Sequence, residues 1–94
     1  MAKAGELSRV LITGGTDGLG KATALLLAEQ GYRVIATGRN AERRAQLETL
    51  ARERKLPLTT VEMDVREDAS VERGLEKAHA EMGPIDVLIN NAGV

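Results

Sequence analysis

The sequence predicts an α/β fold, a partial doubly wound parallel sheet built as β-α-β-α-β-α-β with strand order 3-2-1-4. Three observations predict it. Short apolar, β-branched runs alternate with longer stretches of helical periodicity from Val10 onward, and strands alternating with such helices pair in parallel through right-handed crossovers. A glycine-dense turn, Gly14-Gly15-Thr16-Asp17-Gly18-Leu19-Gly20, joins the first strand to the first helix. The runs around Val10 and Val87 are apolar throughout, as central parallel strands covered on both faces should be.

The elements follow in order. Residues 10–13 form a short β-branched run, the first strand. Residues 19–30 carry Leu19, Ala22, Thr23, Leu26 and Leu27 at the spacing of one helix face, and Gly31 sits where a helix takes its left-handed final residue. Residues 33–37 read as the second strand. Asn40 is a good N-cap for a helix running to about Lys55, beyond which Pro57 forbids continuation. Residues 59–63 form a third strand. Asp68 or Ser70 caps a third helix with Val71, Leu75, Ala78 and Met82 on one face, and Gly83-Pro84 stops it. Residues 85–90 supply the fourth strand. No linker, internal repeat or low-complexity stretch interrupts the alternation.

Composition removes whole classes of function. The 94 residues carry 13 Lys+Arg against 14 Asp+Glu, a balance without the clustered basic excess of a nucleic-acid or membrane surface. There is no cysteine, so disulfides, thiolate catalysis and cysteine-ligated metals are excluded, and the single His79 cannot build a histidine metal site. Tyr32 is the only aromatic residue, which leaves no stacking platform for bases. Residues 1–9 lack the apolar core of a signal peptide and no run approaches a membrane span, so the expected location is cytoplasmic.

Counting helices gives a further expectation. Three helices leave one face of a four-stranded sheet thinly covered if the first two pack together on the other. At ~25 cal/mol per Å², a few hundred Å² of bare apolar surface represents several kcal/mol of drive to associate. The chain is therefore expected to be a fragment, a designed half-domain or a chain completed by a partner, and to self-associate.

The glycine turn carries the chemistry. Strand, glycine turn and helix in that order present bare backbone N–H groups to a phosphate, and a side chain at such positions would block the approach. Three identities compete. Gly-x-Gly-x-x-Gly does not fit, because the glycines fall as Gly14-x3-Gly18-x-Gly20. The segment from Gly15 to Lys21 meets a P-loop pattern except at its final hydroxyl, which is Ala22, so the Mg²⁺ ligand is missing. The third pattern, T-G-x3-G-x-G beginning at Thr13, resembles the cofactor loop of the short-chain dehydrogenase/reductase family.

That resemblance extends along nearly the whole chain. Asn90-Asn91-Ala92-Gly93 is similar to the family's N-N-A-G signature, and Asp64-Val65 to its D-V pair after the third strand. It implies a Rossmann fold in which Gly14, Thr16, Asp17, Gly18, Leu19 and Gly20 surround the pyrophosphate. Asp64 and Val65 would meet the adenine, and Asn91, Ala92 and Gly93 the ribose side. It also implies hydride transfer between a nicotinamide and a carbonyl or alcohol. The family's Tyr-x3-Lys pair is missing: Ala36 stands four residues after Tyr32, and no serine follows Ser70. No catalytic residue is assigned. The 94 residues are expected to be the N-terminal part of a dinucleotide-binding domain without its catalytic half, inactive alone. His79 and the charge-dense stretches 42–44 and 52–55 are expected to face solvent.

Charge bears on the cofactor. NAD selectivity uses an acid at the end of the second strand to hold the ribose 2′-hydroxyl. Here Gly38 takes that place and Arg39 follows. A guanidinium grips a 2′-phosphate that a carboxylate would repel, so NADP is favoured over NAD. Asp17 tempers this, because NADP-preferring members often carry a basic residue in the loop. Two other classes stay open: a non-catalytic nucleotide-binding module or shortened scaffold, and a degenerate P-loop protein.

Overall fold

A computed structural model describes residues 8–91. Its elements run β1 (Arg9–Thr13), α1 (Gly18–Glu29), β2 (Arg33–Gly38), α2 (Ala41–Glu53), β3 (Leu58–Glu62), α3 (Asp68–Met82) and β4 (Val87–Asn90). The four strands form one parallel sheet in the expected order β3-β2-β1-β4. Register sets the faces. Val10 and Ile12 align with Val34 and Ala36 and point one way, while Leu11 aligns with Ile35 and points the other.

The first face is sealed. Ile12, Val34, Ala36 and Leu58 pack against Ala24 and Ala28 of α1 and Leu47 and Ala51 of α2. On the opposite face Leu11, Ile35 and Val61 meet Ala78 of α3, with Met82 and Ile85 at the margin. The helix count of two against one is therefore as the sequence implied.

Three local readings are corrected. The buried stripe of α1 is Gly20, Ala24 and Ala28, whereas Leu19 and Leu26 are 77% and 53% exposed. Small residues let the helix backbone approach the sheet, and the larger leucines are turned aside. The same device operates in α3, where Ser70, Gly74 and Ala78 are buried and Leu75 is not. Neither Asp68 nor Ser70 caps α3. The boundary residue is Glu67, with no side-chain bond, and the Ser70 hydroxyl instead accepts the Asp64 N–H at 2.8 Å. Lastly, β4 is not covered on both faces: Val87 is 42% and Leu88 59% exposed, because this strand is a sheet edge and α3 packs over β2 and β3. The buried reading does hold for β1, whose Val10, Leu11 and Ile12 are at most 1% exposed.

Helix ends match their signals more closely. Asn40 accepts the Arg43 N–H with its side chain, and Gly31 and Gly83 have φ of 98° and 85° where α1 and α3 stop. The second helix ends at Glu53, two residues before the expected Lys55, with Lys55 itself at positive φ.

Candidate functional site

In a parallel sheet all strands end at the same edge, so the residues following β1, β2, β3 and β4 meet there. The glycine turn leaves β1 and folds across the tip of β2. The Gly15 N–H donates to the Thr37 carbonyl at 3.1 Å, and the buried Thr16 side chain lies against Gly38 so closely that a Cβ on that glycine would strike it. The identity of residue 38 is thus fixed by packing as well as by what it omits.

The start of α1 is equally constrained. Gly14 and Gly18 have φ of 67° and 53°, the left-handed region that favours glycine. A Cβ on Gly20 would meet the Gly14 carbonyl oxygen and the Asn91 side-chain amide. Asp17 takes the N-cap position in extended conformation, its carboxylate accepting the Gly18 N–H at 2.9 Å. Leu19 is exposed beside it.

The fourth strand locks this turn from the other side. Asn91 donates its side-chain amide to the Gly14 carbonyl at 3.2 Å and its backbone N–H to the Thr13 hydroxyl at 3.1 Å. The Thr13 hydroxyl donates in turn to Asn90 Oδ1 at 3.1 Å. Asn90 and Asn91 therefore couple the ends of β1 and β4, a structural task that their reading as a ribose contact does not include. Ala92 and Gly93 lie outside the described residues.

A cleft of about 350 Å³ opens beside the turn, lined by Gly14, Gly38, Arg39, Met63, Asp64, Val65 and Arg66. It brings Arg39 together with the Asp64-Val65 pair. The Asp64 carboxylate is gripped by Arg66 through two side-chain bonds of 3.0 Å and by the Arg66 N–H at 3.0 Å. The Arg66 side-chain bond, then its backbone bond, hold the Asp64 carboxyl at about 2, well below the usual carboxylate range, with the charge of Arg39 adding a smaller pull. Reciprocally, Asp64 raises the pKa of Arg66. Asp64 is thus an anion at neutral pH whose carboxylate is oriented by Arg66 and whose backbone N–H is held by the Ser70 hydroxyl.

The sequence reading brought together the right strand ends but missed the residues that hold them: Thr13, Arg43, Arg66 and Ser70. Arg66 had a usable signal, since an arginine two residues after an aspartate in a turn can fold back onto it. Among the described residues there is no group of three His, Asp or Glu placed to hold a metal ion, and no helix long and apolar enough to cross a membrane.

The comparisons with known proteins bear on this edge of the sheet. The short chain dehydrogenase family model matches residues 8–94. The NADP-dependent 3-hydroxy acid dehydrogenase YdfG of Salmonella typhi is 42% identical over 85 residues, 90% of this chain and 33% of that protein. Serine 3-dehydrogenase of Agrobacterium fabrum is 40% identical, with the same two coverages. Among solved structures, an actinorhodin polyketide ketoreductase with NADPH superposes with a TM-score of 0.86 at 32% identity, over 93% of this chain and 33% of that one. A gluconate 5-dehydrogenase from Burkholderia cenocepacia, in complex with NADP and tartrate, gives 0.84 at 36% identity, over 95% and 35%. The chain spans about a third of the length of the curated relatives it matches.

Proposed function

The chain belongs to the short-chain dehydrogenase family, and from that premise we propose that it supplies the dinucleotide-binding part of an NADP-dependent oxidoreductase. The observation that carries this reading is the convergence of the glycine turn, Arg39 and Asp64 on one open cleft at the carboxyl ends of the strands. The residues present fit the cofactor. The turn is open at Gly18, where an added Cβ would meet nothing within 4 Å, and a pyrophosphate would rest on the backbone from Thr16 to Gly20 at the positive end of α1. Arg39 would take the 2′-phosphate. Asp64, ionised and oriented, would accept the adenine amino group, with Val65 against the ring. Asn91, with Ala92 and Gly93, would face the ribose. When bound, the nicotinamide supplies hydride exchange with a carbonyl or alcohol. The relatives named for NADP dependence, and the solved neighbours holding NADPH or NADP, favour the phosphorylated cofactor.

The 94-residue chain by itself binds without turnover on this reading, because its only tyrosine, Tyr32, has no lysine four residues on and stands at the opposite, amino end of β2. It also associates with a second copy through the uncovered flank of the sheet, where Leu88, Val87 and Leu75 are exposed.

The test is a titration with NADPH, NADH and ATP, following reduced-nicotinamide fluorescence and, for ATP, competition with and without Mg²⁺. NADPH should bind most tightly and ATP should show no need for magnesium. Arg39→Asp should weaken NADPH far more than NADH; an equal loss of both removes Arg39 from the 2′-phosphate site. Tight, magnesium-dependent ATP binding would instead identify a P-loop protein.

A further inference from the structure

We propose that Glu48 of α2 guards the outer edge of β3 against strand addition, and that without its carboxylate β3 pairs with β3 of a second copy. The guard is independent of cofactor binding and lies on the opposite flank of the sheet from Val87 and Leu88. Strand order leaves β3 at one end of the sheet. A strand so placed has one side paired and one row of N–H and C=O groups turned outward, a template for another chain. Residues 58–62, Leu-Thr-Thr-Val-Glu, are β-prone and carry a single charge, so an unguarded edge here would pair readily.

Which amides face outward follows from the ladder. The Val34 N–H donates to the Pro57 carbonyl and the Met63 N–H to the Gly38 carbonyl, so the odd-numbered residues of this stretch face β2. Leu58, Thr60 and Glu62 therefore turn their backbone groups outward. The Leu58 N–H folds back on the Leu56 carbonyl at 2.8 Å, in the turn that enters the strand. At the centre, Glu48 Oε2 accepts the Thr60 N–H at 3.1 Å and the Thr60 hydroxyl at 2.5 Å, with the Thr59 hydroxyl at 3.5 Å. Glu62 puts a charged side chain on the edge, 4.0 Å from Arg44 Nη2. Arg44 and Glu48 are one helical turn apart on α2, so a single stripe of that helix runs along the edge.

A carboxylate suits the task. It accepts and never donates, so it satisfies the Thr60 N–H while presenting a negative oxygen to any carbonyl seeking the same hydrogen. A backbone carbonyl that displaced it would exchange a charge-assisted bond for a neutral one, and the edge therefore stays closed. With the carboxylate removed, the Thr60 N–H returns to water, from which a second strand can take it. A second copy is the occupant because two identical edges meet about a two-fold axis as antiparallel strands, each making the same contacts. Centred on Thr60, that pairing sets each Glu62 opposite a Leu58 instead of the other Glu62, so like charges do not face each other.

The experiment uses the 94-residue chain carrying Leu88→Glu, which charges the contact proposed for the other flank, so that further association belongs to β3. Sedimentation at rising concentration reads the association constant, and helical circular dichroism reads the fold. Glu48→Ala should raise the constant about tenfold, and Glu48→Gln, which keeps a neutral acceptor, about threefold. In the associated form the amides of residues 58–62 should gain protection from hydrogen exchange. Adding Thr60→Pro to Glu48→Ala removes the outward N–H and should return association to the level of the Leu88→Glu chain. If Glu48→Ala loses its helical signal, Glu48→Gln decides alone. No rise in a folded variant, a rise without protection at residues 58–62, or one that Thr60→Pro leaves in place overturns the guard.

Discussion

The two faces of the sheet are built from similar residues and finished differently. Under α1 and α2 the sheet is closed, with Leu47, Ala24 and Val34 at most 1% exposed. Under α3 it is closed only over β2 and β3. Beyond them an apolar cleft lined by Leu11, Met63, Val65, Val71, Leu75 and Leu88 stays open toward β4. Yet the strand tips keep their hydrogen-bonded geometry above both. The binding edge therefore depends on the parallel register and on local bonds from Thr13, Asn91 and Ser70, not on complete coverage of the sheet.

The largest test of this difference compares two leucines. Leu47→Ala, on the closed face, should cost about 2–5 kcal/mol, because the fully buried side chain leaves a cavity the neighbours cannot fill. In so small a domain that is enough to unfold much of the population, visible as lost helical circular dichroism. Leu88→Ala on the open face should change unfolding stability by no more than about 0.5 kcal/mol. Leu88→Glu, which charges the proposed contact between copies, should shift light scattering toward monomer. A monomeric parent chain at high concentration would refute that contact, and an equal cost for both alanine variants would show the second face to be sealed in solution.

The same contrast explains what was legible from residues alone. Strand order, helix number and the meeting of Gly14, Arg39 and Asp64 follow from alternation, glycine spacing and the rule that parallel strands end together. The faces of α1 and α3 were read only in part: Leu27, Ala78 and Met82 do pack against the core, but Leu19, Leu26 and Leu75 do not, because apolar periodicity marks the largest side chains whereas these helices dock through Gly20, Ala24 and Ala28 and through Ser70, Gly74 and Ala78. Val87 and Leu88 were misread because an apolar strand reads the same whether or not anything lies over it. Long-range partners such as Arg43 for Asp17 have no local signature at 26 residues' separation.

An intermediate effect is expected at Thr37. Its side chain is fully buried on β2 beside Thr13 and Val61 in register, and its hydroxyl has no hydrogen-bond partner among the described residues. A desolvated, unbonded hydroxyl is a cost that the native fold carries. Thr37→Val keeps the branched shape and removes it, so stability should rise by about 1 kcal/mol in denaturant unfolding. A loss of similar size would mean the hydroxyl is bonded in solution.

The smallest effect is a pH dependence at the binding edge. Asp64 has its folded pKa lowered to about 2 by Arg66, against 3.8 for the free group. A lowered acid favours the folded state wherever the carboxyl is ionised, so its contribution is full above about pH 4 and fades as pH falls toward 2. Arg66 is 69% exposed, so solvent screens the pair and the contribution is modest. Asp64→Asn should lower Tm slightly at pH 7, with the difference closing between pH 4 and pH 2. The carboxyl carbon followed by NMR gives the direct check: titration near 2 supports the clamp, and titration near 4 shows that Arg66 does not hold Asp64 in solution. A clamped Asp64 stays ionised down to acid pH, so the adenine contact should add no pH dependence to cofactor affinity between pH 5 and 8. An unclamped one would bring its own titration nearer that range, and would lose the fixed orientation that lets one carboxylate oxygen face the ring.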